Sequence, residues 1–210
     1  MTIENVLTRR QVFNQRFAGG EAIAAENILK RIYAKINERL LRDPTEFQQL
    51  NMTRIRNDIN NILAIDLDDM KGVIVDGALD FAEAEGEFMY TALSSETSVV
   101  LALPAIEQIK QAVVQAGMDV VVGSGTLTIN EALDKFAVNK GVEIRAAIND
   151  GILTGQTNQQ IAAQIKDYGD NLHKGQINAL VRTSINNAST QARRIVTEEN
   201  QNILKGDEWV

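Results

Sequence analysis

Only two prolines, Pro44 and Pro104, occur in a chain of 210 residues. Proline removes a backbone donor and clashes with the preceding helical turn, so its scarcity leaves room for long, uninterrupted helices. Apolar spacing shows where they run. Ile23, Ile28, Ile32, Ile36 and Leu40 recur at near-helical intervals, with Lys30, Arg31, Lys35 and Arg39 between them, and predict a helix over 21–42. Gly19-Gly20 before it and Pro44 after it supply its punctuation. A second helix is expected over 53–64, with Ile55, Ile59, Ile62 and Leu63 inward, and a third over 66–93. Asp66, Asp68 and Asp69 would sit at the positive end of that third helix. Gly72, Gly77 and Gly86 inside it each weaken a helix by about 1 kcal/mol relative to alanine.

The middle of the chain changes character. Residues 94–98 read as a loop, and Pro104 opens a short helix ending near Gly117. The runs 118–122 and 126–129 then flank Gly123-Ser124-Gly125 and predict a small hairpin, which must pack on helices or on another strand. Beyond it, Thr128 with Glu131 and Thr157 with Gln160 have the form of capping boxes, each opening a helix. One apolar stripe carries Ile129, Leu133, Phe136, Ile144, Ala147 and Ile148 up to Gly151, and a short helix buries Ile161 and Ile165. From about Leu172 a long helix carries Ile177, Leu180, Val181, Ile185, Ala188, Ala192, Val196 and Ile203, ending at Gly206. The expected fold is mainly α, a multi-helix assembly with one small β-hairpin. Its expected regions are 1–95 (helical), 96–128 (loop, short helix and hairpin) and 129–210 (a C-terminal helical unit).

Composition narrows the chemistry. With no cysteine there is neither a disulfide framework nor a thiolate metal site. The first ten residues lack an apolar stretch of signal-peptide length, and runs such as 99–105 are too short to span a bilayer, so no membrane insertion is expected. Charge is segregated along the chain. Residues 1–42 hold eight Lys/Arg against four Asp/Glu, a net of +4. Residues 43–135 hold five against sixteen, a net of −11, and 136–210 balance at eight each. Such asymmetry suggests separate partners for separate parts, although a solvated basic face gives the same pattern. The candidate partner-binding residues are Lys30, Arg31, Lys35 and Arg39, with Ile28, Ile32 and Ile36 beside them. An acidic protein surface or DNA could meet that face, while the overall acidic balance argues against a dedicated nucleic-acid module.

Catalytic groupings are sparse. The single histidine, His173, has only Asp170 close to it in sequence, and a surface or capping role is expected. Asp66, Asp68 and Asp69 lack the twelfth-position glutamate of a calcium loop, since residue 77 is Gly77. Gly123-Ser124-Gly125 lacks the lysine and helix start of a phosphate loop. No catalytic, metal or cofactor residues are expected, and the chain is read as a non-enzyme. Arg182, beside the apolar stripe of the last helix, is expected to reach a carboxylate or carbonyl on the short helix before it. Trp209, near the end, needs something to pack on.

Gly151-Ile152-Leu153-Thr154-Gly155-Gln156-Thr157-Asn158-Gln159-Gln160-Ile161, then Ala179-Leu180-Val181-Arg182-Thr183, then Asn200 and Gly206-Asp207-Glu208-Trp209-Val210 resemble the phage Mu F-like head-morphogenesis family. The shared pattern is a glycine-bounded turn, a short helix, a long helix with an Arg-Thr pair, and a Gly-x-x-Trp strand entry. It covers about residues 125–210, and Gly151, Gly155, Ile161, Arg182, Thr183 and Trp209 carry it. Ser184 stands where the family often has Glu, and the family's segment beyond the Trp is not matched, so the C-terminal unit is expected to be truncated. Members of the family are minor head proteins of tailed phages. The resemblance implies a virion component present in multiple copies, bound to portal or capsid proteins inside the head and made in the host cytoplasm. It would assist head assembly and genome delivery. Two other readings remain open: an internal protein ejected with the genome, and an adaptor region of a larger enzyme or toxin.

Overall fold

A computed structural model describes residues 3–42, 49–96, 100–119, 125–169 and 173–204. Pro44, Thr97, Ser98, Asp170, Leu172 and most of the expected hairpin turn lie outside them, as do Gly206 and Trp209. Among the described residues the fold is mainly α. The order is α1 (Ile3–Leu41), α2 (Gln49–Glu96), α3 (Ile106–Gln115), β1 (Met118–Asp119), β2 (Thr126–Leu127), α4 (Ile129–Leu153), α5 (Asn158–Asp167) and α6 (His173–Glu199). The strands form one antiparallel hairpin, with Met118 opposite Leu127 and Asp119 opposite Thr126. Gly125 beside it has φ +74°, a conformation that costs a side-chain-bearing residue about 1–2 kcal/mol. None of these helices is long and apolar enough to cross a membrane.

The two N-terminal helices are longer than the punctuation suggested. The helix expected over 21–42 is the second part of α1, which starts at Ile3 and passes through Gly19 and Gly20. A buried stripe of Asn14, Ala18, Ala22, Ala25, Leu29, Ile32, Ile36 and Leu40 keeps its phase across the glycines. Packing along such a stripe outweighs an intrinsic penalty of about 1 kcal/mol per glycine. The two helices expected over 53–64 and 66–93 are a single α2 for the same reason. Ile55, Ile59, Leu63, Leu67, Met70, Ile74, Ala78, Phe81 and Ala82 are buried at intervals of three or four residues, with no break near Asp66. Asp66, Asp68 and Asp69 are therefore mid-helix, and residues 94–96 are helical rather than loop.

Two compact units share these elements. Unit 1 comprises Met1–Glu21, Val75–Asn130 and Val181–Val210, and unit 2 comprises Ala22–Ile74 and Glu131–Leu180. They cut across the three expected regions, because α1, α2 and α6 each contribute to both. In unit 1, Met89, Leu93, Leu101 and Val196 form a buried cluster, with Leu7, Tyr90 and Leu204 against it. Phe17 stacks on Phe81 with ring centres 4.7 Å apart. In unit 2 the buried set includes Leu29, Ile36, Ile59, Leu133, Ile144, Ile148, Ile161 and Ile177. Burying each such side chain is worth about 1.5–3 kcal/mol before the entropy of ordering it.

Candidate functional site

The basic face of α1 lies in unit 2 and is partly used by the fold itself. Lys35 Nζ is 2.6 and 2.8 Å from the two carboxylate oxygens of Asp66. Arg39 Nε is 2.6 Å from Asp58 Oδ2. Ile32 and Ile36 are 2% and 0% exposed, so they belong to the core and present no surface to a partner. What remains outward is Lys30 and Arg31, both exposed and without an ion pair among the described residues, with Ile28 half-buried between them and the core. Ile28, Arg31 and Lys35 line one side of a cleft of about 230 Å³, and Asp66, Asp69 and Val73 line the other. Segregation of charge along the sequence thus brings cations of α1 against anions of α2.

His173 is where the structure departs most from the sequence reading. It is neither at the surface nor a cap: the ring is 1% exposed. Its Nε2 lies 2.6 Å from Glu143 Oε2 of α4, and its Nδ1 is hydrogen-bonded to the Tyr33 hydroxyl of α1. Lys140 Nζ, itself buried, reaches the two Glu143 oxygens at 2.9 and 2.8 Å. Tyr168 stands nearby, its ring centre 6.0 Å from that of the imidazole. Burial, then the Lys140 charge, pushes the imidazole below its ordinary range, against the pull of Glu143. Burial works to raise Glu143, but the hydrogen bonds and charges of Lys140 and His173 prevail and hold it low. Burial, helped by the Glu143 charge, raises the Tyr33 phenol well above its usual value. The result is a hydroxyl–imidazole–carboxylate–ammonium series in which only Glu143 reaches solvent, with 46% of its side chain exposed.

Sequence proximity could not find these partners, since Tyr33 is 140 and Glu143 30 residues away. One local signal existed. Extending the stripe Ile177, Leu180, Ser184 and Ala188 back by one turn lands on His173.

The residues that carry the family resemblance shape the backbone. Gly151 is buried in the last turns of α4, where an added Cβ would come 2.5 Å from Ile161 Cγ1 of α5. Gly155 takes φ +72° in the connecting turn. Thr157 caps α5: its Oγ1 accepts from Gln160 N at 3.3 Å, and its N–H donates to Gln160 Oε1 at 2.8 Å. The Arg182 guanidinium lies across the backbone of α1 at Gly19, 3.4 Å from where a Cβ would be. Thr183 beside it is half-buried, and the hydroxyl of the buried Ser184 donates to Met118 Sδ at 3.8 Å. Asn200 is buried and clasps the peptide of Ala102. Its Oδ1 accepts from Ala102 N at 2.7 Å, and its Nδ2 donates to Ala102 O at 2.8 Å.

A second buried polar centre, in unit 1, has no counterpart in the sequence reading. Glu85 of α2 is 0% exposed and accepts from Arg10 at 2.7 Å and Asn14 at 3.2 Å on α1. From α6 it accepts from Ser189 at 3.3 Å and Arg193 at 2.6 Å. Among the described residues no group of three or more His, Asp or Glu side chains is placed to hold a metal ion. No family model, curated protein or solved structure matches the chain.

Proposed function

We propose that this chain is a non-enzymatic minor head protein of a tailed bacteriophage, bound at the portal vertex inside the head and assisting head assembly and genome delivery. One observation carries the reading. The motif residues Gly151, Gly155, Thr157 and Ile161 act together to close the α4–α5 turn, ahead of the Arg182-Thr183 pair on α6. A resemblance made of residues that fix a helix–turn–helix scaffold suits a protein that works by presenting a surface. Portal or capsid proteins are the proposed partners, and Lys30 and Arg31 of α1 are the side chains left free to meet an acidic face. Contact with packaged DNA through the same two cations is a lesser role.

The test is made on purified particles of the phage that encodes the chain. Quantitative mass spectrometry is expected to find it in a small fixed copy number, crosslinked to the portal, and retained in heads emptied of DNA. Loss from emptied heads would favour an internal protein ejected with the genome. Absence from particles altogether would overturn the proposal.

A further inference from the structure

His173 is the one histidine in the chain, and both nitrogens of its ring are committed. A carboxylate only accepts hydrogen bonds, so ionised Glu143 fixes the ring proton on Nε2. Nδ1 then carries a lone pair, and the Tyr33 hydroxyl must donate to it. The neutral ring is fully satisfied in a buried place. We propose that Tyr33, His173 and Glu143 form an acid-sensitive latch in unit 2: protonation of His173 breaks its bond with Tyr33 and loosens the start of α6 against α1, where Glu26 still holds Lys174 and Asn178, while leaving it held to α4.

The direction of release follows from the partners. A proton added at Nδ1 turns that atom into a donor facing Tyr33, whose hydroxyl can receive it only by turning its own O–H away. That hydroxyl belongs to a side chain 3% exposed, and a buried donor without an acceptor is costly. On the opposite edge, protonation turns the Glu143 contact into an ion pair and strengthens it. The remaining charged and titratable groups around the ring do not offset the loss at Tyr33. Lys140 of α4 repels the new charge, and Tyr168 next to α5 offers only its ring at 6.0 Å. Lys174 on α6 itself is exposed and turned to Glu26 of α1 at 3.5 Å. Burial and Lys140 already press the imidazole towards its neutral form.

Tyr33 bears a second load. A Cβ on Gly169 would come 2.6 Å from Tyr33 Cδ2, so the end of α5 rests on the same ring whose hydroxyl holds α6. Loosening at His173 therefore acts on the junction between the two helices.

Because there is one imidazole, its proton and carbon resonances report the latch without ambiguity. The full chain is titrated by NMR, and amide hydrogen exchange of residues 173–180 is followed over the same range, corrected for intrinsic rates. The imidazole is expected to titrate clearly below the free value of about 6.5. Protection is expected to fall about tenfold through the same midpoint. Tyr33→Phe removes the bond that protonation breaks, so residues 173–180 should already be less protected at neutral pH and should show no further loss as His173 titrates. His173→Gln keeps a neutral donor and acceptor and should abolish the acid step. A wild-type midpoint at or above about 6.5 would overturn the latch, as would a step that survives in His173→Gln. Should the glutamine variant fail to fold, the wild-type titration and the Tyr33→Phe exchange profile still decide: an acid step of full size in Tyr33→Phe would overturn the latch.

Discussion

Glu85 shows how much one residue can commit. Its carboxylate is met by two guanidiniums, an amide and a hydroxyl from α1 and α6, with no solvent exposure of its own. Glu85→Gln keeps the volume and removes the charge, leaving Arg10 and Arg193 poorly compensated. Losing one partner of a buried pair costs about 3–5 kcal/mol, and urea unfolding at neutral pH is expected to show a loss of that order. Asn200 makes a smaller version of the same commitment. Asn200→Ala leaves the Ala102 N–H and C=O without their clasp, an expected loss of about 1–3 kcal/mol. Asn200→Asp should cost at least as much, because it turns a carboxylate towards the Ala102 and Val196 carbonyls. Neither residue could be read from its neighbours: Glu85 meets groups 71 to 108 residues away, and Asn200 one at 98. Thr157 was legible, because both halves of its cap lie within three residues.

Helices were legible in kind but not in extent. Pro104 and periodicity placed α3, α5 and the start of α6 closely, and the β-branched runs located the hairpin. But α6 ends at Glu199 rather than Gly206, and Ile203 lies exposed in the turn after it. Gly19-Gly20 suggests a helix that begins only at residue 21, and the acids at 66–69 suggest a new helix start within α2, whereas the phase of the buried stripe runs through both places. Continuity of the stripe outweighs local breakers. Glycine replacement separates the two roles such residues play. A Cβ at Gly72 of α2 meets nothing within 4 Å, so Gly72→Ala is expected to stabilise by up to about 1 kcal/mol. Gly169→Ala meets the Tyr33 ring at 2.6 Å and is expected to destabilise by about 1–3 kcal/mol. Thermal melts of the pair should move in opposite directions. Tyr33 also sets a pH limit. Its phenol is raised by burial and by Glu143, so the stability it gives is full below the ordinary tyrosine value of about 10 and is lost as pH rises beyond it. Wild type should weaken in urea between about pH 10 and 11, and Tyr33→Phe should lack that component.

At the scale of the whole chain, segregated charge finds its first use within the fold, in Lys35–Asp66, Arg39–Asp58 and Arg10–Glu85. The two partly solvated pairs, Lys35–Asp66 and Arg39–Asp58, are worth only about 0–1 kcal/mol each, unlike the buried Arg10–Glu85. A partner is therefore better tested through Lys30 and Arg31 than through Lys35. Lys30→Glu with Arg31→Glu is expected to leave helical circular dichroism unchanged and, on the proposed function, to weaken capture by portal protein several-fold at about 0.15 M salt. Affinity indifferent to both the reversals and the salt would point to the apolar side chains Ile28 and Val73 of the cleft instead. The division into units has a consequence for synthesis. When residue 130 has left the ribosome, unit 2 still lacks Glu131–Leu180 and unit 1 still lacks everything from Val181. Unit 2 can close first, and unit 1 waits for the last helix. Until then α1 and α2 carry apolar stripes whose later partners do not yet exist, a state that invites aggregation and chaperone capture. A stop codon after residue 128 should therefore yield an insoluble polypeptide, not a folded N-terminal domain.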